Sequence, residues 1–253
     1  MKITRAVVPS LFTVLNVVCG FLSIVNAAEG AFVMSAWFVV LAAVFDSLDG
    51  VMARITRSSS QFGVELDSLA DVVSFGAAPS FLVYQIHLQT LNTFGIIISA
   101  MPLVFGAIRL ARFNVQLVGF EKEYFKGLPI PFAAITICAY VLQYYSEEHG
   151  LHGWSAGLLA PLVIVLALLM VSRVKYDAMP KFSRKGLKTH PWRAIVSVVA
   201  AAVVLVSGGR LLFPVLIAAI AIGIGRSAFE WIRGLPAGFS KEEEESEVSS
   251  IDI

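Results

Sequence analysis

Residues 46–71 read DSLDGVMARITRSSSQFGVELDSLAD and place four aspartates between two apolar segments. Asp46 and Asp49 are three residues apart. Asp67 and Asp71 are four apart, so each pair lies on one face of a helix. If the two helices pack as an antiparallel hairpin, the four carboxylates converge and repel one another. Because hard divalent cations prefer carboxylate oxygens, the stretch predicts a two-metal site at a membrane surface.

The composition of the chain indicates a bilayer rather than water as its solvent. Of the 253 residues 57% are hydrophobic and 15% charged, whereas soluble domains average about 25% charged residues. A net charge of +1 argues against a general nucleic-acid binder. Because the apolar runs are continuous rather than alternating, they predict an all-α, polytopic membrane bundle. About eight runs approach the length of a span, at 8–27, 31–56, 67–88, 93–113, 128–146, 154–172, 193–207 and 209–231.

The last two runs are short and adjacent, so a count of six or seven spans stays open. We expect residues 1–235 to form one integral membrane domain and 236–253 an acidic, disordered tail. With eight spans and the N-terminus inside, every Lys and Arg except Arg210 falls in an inner segment. Positive charge is enriched in cytoplasmic loops. This bias predicts cytoplasmic termini and an aspartate stretch on the cytoplasmic side of the cell membrane.

Three further features lie within the aspartate stretch. Gly50 follows Asp49 directly, and a residue without a side chain lets a bulky ligand approach the helix backbone. Arg54, one turn later, is able to pair with a phosphate in a bidentate way. Residues 58–60 form a serine turn whose hydroxyls either cap the next helix or touch a phosphate. A helical glycine usually serves packing, but beside paired carboxylates and an arginine we favour the ligand-binding interpretation.

This stretch resembles the full signature of the CDP-alcohol phosphotransferase family. All eight fixed positions match at the family's spacing: Asp46-x-x-Asp49-Gly50-x-x-Ala53-Arg54, eight residues, then Gly63-x-x-x-Asp67-x-x-x-Asp71. The resemblance implies a six-helix membrane core, here with additional helices, and often a homodimer. It also implies Mg²⁺ or Mn²⁺, a CDP-linked donor and release of CMP.

The resemblance also implies roles for single residues. The metal ligands would be the four aspartates Asp46, Asp49, Asp67 and Asp71. Asp71 would in addition be the general base that takes the proton of the acceptor alcohol. Positions that contact the CDP-diacylglycerol donor are matched by Gly50, Arg54 and Ser60.

The first apolar run carries polar side chains at three-residue spacing, on Ser10, Thr13 and Asn16. One interpretation is structural: Ser10 caps the helix, while Thr13 and Asn16 make ordinary interhelical hydrogen bonds. The other is functional, because the pattern is similar to the family's first-helix contacts with the cytidine moiety of the donor. The sequence leaves both open.

The acceptor alcohol is addressed by two other stretches, residues 109–114 (RLARFN) and 125–131 (FKGLPIP). Arg109 and Arg112 face the same way near the end of the fourth run, followed by Asn114. A lone arginine there would be a snorkelling anchor, whereas this group could bind an anionic headgroup such as a carboxylate. Both stretches resemble those of membrane-embedded phosphatidylserine synthases, whose acceptor is L-serine.

The expected activity is therefore transfer of the phosphatidyl group from CDP-diacylglycerol to L-serine, giving phosphatidylserine and CMP. Within the same chemistry, glycerol 3-phosphate or an inositol phosphate is the alternative acceptor, because the two arginines could equally serve a phosphate. A divalent-cation transporter is a more distant alternative, since transport sites usually lie near the bilayer midplane rather than at the edge that Arg54 and Arg57 mark.

Overall fold

A computed structural model of the chain describes residues 7–56, 61–117, 127–172, 174 and 211–232. These residues are almost entirely helical and contain no strand beyond an isolated bridge between Ser146 and Gly150. The α-helices are, in chain order, α1 (Val7–Ala28), α2 (Phe32–Thr56), α3 (Gln61–Asp71), α4 (Ala78–Ile86), α5 (Asn92–Leu117), α6 (Ile130–Tyr144), α7 (Trp154–Val171) and α8 (Leu212–Ile232). A π-helical segment (Val72–Ala77) joins α3 to α4, and a 3-10 turn (Leu88–Leu91) precedes α5.

Six of the described helical rods are long and apolar enough to cross a membrane, which confirms the polytopic all-α prediction. The seventh, α6, has 15 residues and a length of about 22 Å, short of the roughly 30 Å hydrocarbon core. It is also largely buried within the protein. Both the predicted run 193–207 and the predicted tail 236–253 lie outside the described residues.

The third rod changes helix type in its middle. It begins at Gln61 rather than at the predicted residue 67, because Gln61 and Glu65 lower the hydropathy of its first turns although the segment is helical. Pro79 has no N–H to donate to the preceding turn, and the π-helical segment lies directly before it. The Ser74 hydroxyl in this segment donates to the main-chain carbonyl of Asn16 at 2.9 Å. The rod is thereby fixed against α1 just beyond Asp71.

The backbone of α5 next to its internal proline is bonded by a side chain of the third rod. Pro102 lies inside α5, and prolines in spans free backbone groups that neighbouring hydroxyls re-satisfy. Here the N–H of Leu103 donates to Ser80 Oγ at 3.1 Å. Gly76 lies at the same contact, where an added Cβ would come within 3.2 Å of Leu103. The third rod therefore contacts α5 closely near the middle of α5.

Residues 127–131, the described part of the FKGLPIP stretch, have a structural role. The N–H of Leu128 donates to the Leu169 carbonyl at 3.0 Å, at the end of α7. A Cβ on Gly127 would collide with the backbone of Met170, and one on Gly106 would collide with Ile130. Glycine therefore permits both contacts, which place the start of α6 against α5 and α7.

One end of the bundle carries aromatic side chains. Tyr144 packs edge-on against Trp154 and Phe213, with ring centroids 5.0 Å and 5.7 Å away. Phe32 and Tyr145 form a further edge-on pair at 5.3 Å. Aromatic residues are typical of membrane–water interfaces. These rings stand at the starts of α2, α7 and α8 and at the end of α6, which marks this end as one face of the bilayer.

The contact between α1 and the π-helical segment is a sensitive point of the fold. A Cβ on Gly20 would meet the side chain and the Cα of Ser74, and overpacking typically costs 1–3 kcal/mol. We therefore expect Gly20→Ala to lower the midpoint of thermal unfolding in detergent. The matched control is Gly157→Ala in α7, where nothing lies within 4 Å and alanine favours the helix by up to about 1 kcal/mol. Equal midpoints for the two variants would contradict this close approach.

Candidate active site

Three aspartates converge where α2 meets α3. Asp46 on α2 and Asp67 and Asp71 on α3 each offer a carboxylate oxygen, and these oxygens lie within 4.8 Å of one another. Asp71 is buried and the other two are half-buried. In the described part of the chain no other group of three His, Cys, Asp or Glu residues lies as close. Like charges this close repel strongly away from water, so the cluster needs positive charge to be stable.

Asp49 has a different environment from the other three. Its Oδ2 accepts a 2.5 Å hydrogen bond from the buried Thr13 hydroxyl of α1. Its Oδ1 is buried and has no hydrogen-bond partner within the described residues, and the same holds for Oδ1 of Asp71. The structure thus brings three of the four aspartates into one group, and it holds the fourth one helical turn away on α2.

Asn16 lies beside the cluster, fully buried on α1. Its amide is next to Asp71 without meeting hydrogen-bond geometry, and within the described ranges neither of its polar side-chain atoms is paired. An unpaired buried amide costs about 1–3 kcal/mol. Such a group at the edge of an acidic cluster is typical of a site that a ligand completes.

A cavity of about 320 Å³ opens directly beside the cluster, between α3 and α5. Its walls combine two carboxylates, one guanidinium, one hydroxyl and one amide with apolar side chains. The lining residues are Val64, Asp67, Ser68 and Asp71 of α3 and Arg109, Leu110, Phe113 and Asn114 of α5. The volume lies at the lower end of the range for small-molecule sites, so the cavity suits a small polar ligand.

The two predicted arginines are placed differently. Arg109 lines the cavity together with Asp67 and Asp71, and its charge is close enough to attract that of Asp71. Arg112 is exposed and is not among the lining residues. The helical phase explains the difference, because the lining positions 109, 110, 113 and 114 share one face of α5 and position 112 points about 130° away from the centre of that face. Asn114, the third predicted residue, does line the cavity.

The predicted donor residues lie on α1 and around the end of α2. Ser10 and Thr13 lie on α1, as Asn16 does, and Gly50 and Arg54 lie on α2. A Cβ on Gly50 would meet no described atom within 4 Å, so the glycine does not serve close packing among these residues. Ser60 lies outside the described residues.

Ser68 is a cavity residue that the sequence did not reveal. Asn114 Nδ2 donates to Ser68 Oγ at 3.0 Å, which joins α3 to α5. Ser68 follows Asp67, so its direction differs by about 100° from that of the aspartate. The spacing of the aspartates therefore does not predict Ser68 as a cavity residue, and only its contact with α5 identifies it.

The family model for CDP-alcohol phosphatidyltransferase matches residues 6–171, well over half of the chain. The chain belongs to this family. The match covers α1 to α7 and so includes every residue of the aspartate cluster and of the cavity. Family membership confirms the resemblance that residues 46–71 carry.

Similar proteins agree with the family assignment. The CDP-diacylglycerol–serine O-phosphatidyltransferase of Helicobacter pylori is 40% identical, covering 68% of this chain and 73% of the relative. The enzyme of the same name from Bacillus subtilis is 32% identical over 73% of this chain and 98% of its own length. The archaetidylserine synthase of Methanothermobacter thermautotrophicus is 37% identical, and the match covers 74% of this chain and 76% of the relative.

A solved structure shares the fold. The phosphatidylinositol phosphate synthase of Mycobacterium tuberculosis, crystallised with CDP-DAG bound, superposes with a TM-score of 0.51. The match covers 67% of this chain and 82% of that one at 23% sequence identity. This likeness supports the helical architecture of the phosphatidyltransferase family for this chain.

The acidic cluster fits the metal ion on which the family depends. Every ligand atom that it offers is a carboxylate oxygen, the ligand of hard divalent cations. In the described part of the chain, Asp49 and Asp71 each keep one buried oxygen without a partner. A bound cation would use these oxygens and remove the repulsion among the carboxylates.

We expect the purified chain to bind Mn²⁺ before any substrate is added, because the cluster is already assembled. Asp67→Asn should weaken this binding by more than about 10-fold, since even outer-shell changes cost 10–100-fold in metal affinity. Titration of the electron paramagnetic resonance signal of free Mn²⁺ measures the affinity. The matched control is Glu65→Gln, which removes an exposed acid from the same helix. Equal losses of affinity in the two variants would argue against the cluster as the metal site.

Proposed function

We propose that the chain transfers the phosphatidyl group from CDP-diacylglycerol to L-serine, giving phosphatidylserine and CMP. The observation that carries this proposal is the cavity beside the aspartates, which places Arg109 and Asn114 next to Asp71. Its size and its single guanidinium among carboxylates and neutral polar groups suit a small amino acid. The names of relatives at 32–41% identity support serine as the acceptor.

The aspartates would hold two divalent cations, Mg²⁺ or Mn²⁺. The ligands would be Asp46, Asp67 and Asp71 together with the unpaired oxygen of Asp49. When bound, the cations neutralise the carboxylates and the charge that develops on the leaving CMP. Thr13 holds Asp49 by the hydrogen bond to Oδ2, which fixes the carboxylate and leaves Oδ1 available.

Asp71 is the proposed general base. It lines the acceptor cavity and belongs to the acidic cluster at the same time. It would take the proton of the serine hydroxyl while that oxygen bonds to the phosphorus of the phosphatidyl group. The bond from this phosphorus to the CMP oxygen breaks on the opposite side, and CMP leaves. A general base contributes about 10²–10⁴-fold to such a step.

The donor would lie across α1 and α2. Ser10, Thr13, Asn16, Gly50, Arg54 and Ser60 are the proposed contact residues. Support comes from the open space at Gly50 and from the unpaired amide of Asn16. The acyl chains of the donor stay in the bilayer, so its head must enter from the edge of the membrane.

We further propose that this edge is the cytoplasmic one and that the chain forms a homodimer. Asp46 lies about 21 Å along α2 from Phe32, at 1.5 Å rise per residue, so the site and the aromatic end are at opposite faces. Nearly all basic residues fall on the side of the site in the predicted topology, which supports a cytoplasmic location. The homodimer rests on the family resemblance alone.

An acceptor panel tests the proposed reaction. The full chain in mixed micelles with CDP-diacylglycerol and Mg²⁺ or Mn²⁺ should release CMP with L-serine, and not with glycerol 3-phosphate or an inositol phosphate. A chelator should stop the release, and added cation should restore it. Release of CMP with glycerol 3-phosphate but not with serine would overturn the choice of acceptor. Cation uptake into vesicles without any nucleotide lipid would instead support transport.

Asp71→Asn tests the general base. We expect CMP release to fall by about 10²–10⁴-fold, because the amide takes no proton from the acceptor. The variant should still insert and elute from size-exclusion chromatography as the wild type does, since the substitution keeps the shape of the side chain. Wild-type turnover in this variant would remove Asp71 from the base role.

A further inference from the structure

We propose that Ser68 and Asn114 together recognise the ammonium group of the acceptor, while Arg109 takes its carboxylate. This inference rests on the proposed function and assigns the two ends of the acceptor to separate walls of the cavity. All three side chains line the same 320 Å³ space as Asp71. Ser68 thereby becomes a specificity-determining residue of the site.

The hydrogen bonds of the Ser68–Asn114 pair leave an acceptor atom available. Asn114 Nδ2 donates to Ser68 Oγ at 3.0 Å. The Ser68 hydroxyl has two possible acceptors, the Val64 carbonyl at 3.1 Å and Asn114 Oδ1 at 3.3 Å. A carbonyl oxygen accepts two hydrogen bonds, so Asn114 Oδ1 keeps at least one free lone pair in either arrangement. This oxygen suits a group that only donates, and an ammonium is such a group.

The charges of the cavity favour a zwitterion over a phosphate ester. Among its described lining residues Arg109 is the sole cation. A guanidinium matches one carboxylate in bidentate geometry. The aspartates are committed to the metal ions, so the neutral Ser68–Asn114 pair is the remaining wall with hydrogen-bonding capacity. A phosphate dianion would leave its second charge without a partner on this wall.

The pair is also held rigidly enough to discriminate. Ser68 lies between Asp67 and Asp71 on α3, and Asn114 lies near the end of α5. Their mutual bond fixes the rotamer of each side chain, so little freedom is lost when a ligand binds. A site built to bond a polar group rejects an analogue that lacks it, because its own polar atoms then stay unpaired.

Two serine analogues separate the two halves of the site. Ethanolamine lacks the carboxylate, and 3-hydroxypropanoate lacks the ammonium. The experiment uses the full chain in micelles and measures CMP release with L-serine, the KM for serine, and the inhibition constant of each analogue. The variants are Asn114→Leu, Ser68→Ala and Arg109→Gln.

We expect Asn114→Leu to raise the KM for serine and the inhibition constant of ethanolamine by about 10- to 100-fold, the worth of a hydrogen bond to a charged group. Inhibition by 3-hydroxypropanoate and the KM for CDP-diacylglycerol should stay within about twofold, which a general loss of folding would not allow. Ser68→Ala should raise the same two constants by about 2- to 10-fold, as for a neutral hydrogen bond. Arg109→Gln should show the reverse pattern, with weaker binding of 3-hydroxypropanoate and unchanged binding of ethanolamine.

The matched control is Ser99→Ala. It removes a hydroxyl that bonds a carbonyl of its own helix, about 22 Å along α5 from Asn114 at 1.5 Å per residue, and it should change none of these constants. If the wild type releases no CMP with serine, the proposed function fails, and this inference fails with it. If the wild type uses serine but Asn114→Leu weakens both analogues equally or neither, only the inference is overturned. Asn114→Asp keeps the acceptor atoms and should retain ethanolamine binding, whereas loss of that binding would likewise count against the ammonium assignment.

Discussion

Repulsion among clustered, partly buried carboxylates is the constraint on which the site of this bundle depends. Asp46, Asp67 and Asp71 lie within a few ångströms of one another at the junction of α2 and α3, where water screens their charges poorly. A bundle held only by apolar packing would separate them. Here the Thr13 bond to Asp49 and the Ser74 bond to Asn16 tie α1 to both neighbouring rods. The protein therefore holds the cluster assembled, and a bound cation would relieve the repulsion among its carboxylates.

The site has two faces with different shapes and different polar groups. Among the described residues, the face formed by α1 and α2 offers the unpaired Oδ1 of Asp49, the unpaired amide of Asn16 and the open space at Gly50, which suits the proposed nucleotide-lipid donor. The face formed by α3 and α5 lines a small, partly open cavity that carries two carboxylates, one guanidinium and neutral polar groups, which suits a small polar alcohol. Asp71 belongs to both faces. In the proposed reaction a base at this position would meet the acceptor and the donor at one point, which is the geometry that an in-line transfer needs.

Much of this arrangement was predictable because it follows from short-range spacing. The steps from Asp46 to Asp49 and from Asp67 to Asp71 set helix faces, and long apolar runs set the spans. What the sequence did not show depends on pairs far apart in the chain. Ser68 meets Asn114 only once α3 and α5 lie side by side. The sequence left open whether Thr13 makes an interhelical hydrogen bond, and in the structure it bonds Asp49. Of the two predicted acceptor arginines only Arg109 lines the cavity, since that choice depends on how α5 is rotated. Stretch 125–131 contains a packing motif, because the constraint on Gly127 is the backbone of Met170.

The π-helical segment shifts the direction of the side chains of α4 relative to those of α3. Counting in steps of 3.6 residues from Asp71 describes the faces of α3 but does not carry past Val72, where the turns widen. The half of the rod that carries Asp67 and Asp71 thus presents carboxylates in one direction, while its other half offers Ser80 and Gly76 to α5 in another. Deleting one residue from the segment would rotate α4 by about 100° relative to α3 and break that second contact. The number of residues between Asp71 in the cluster and Ser80 at the contact with α5 is therefore fixed. The side chains between them are free to vary wherever they meet only lipid.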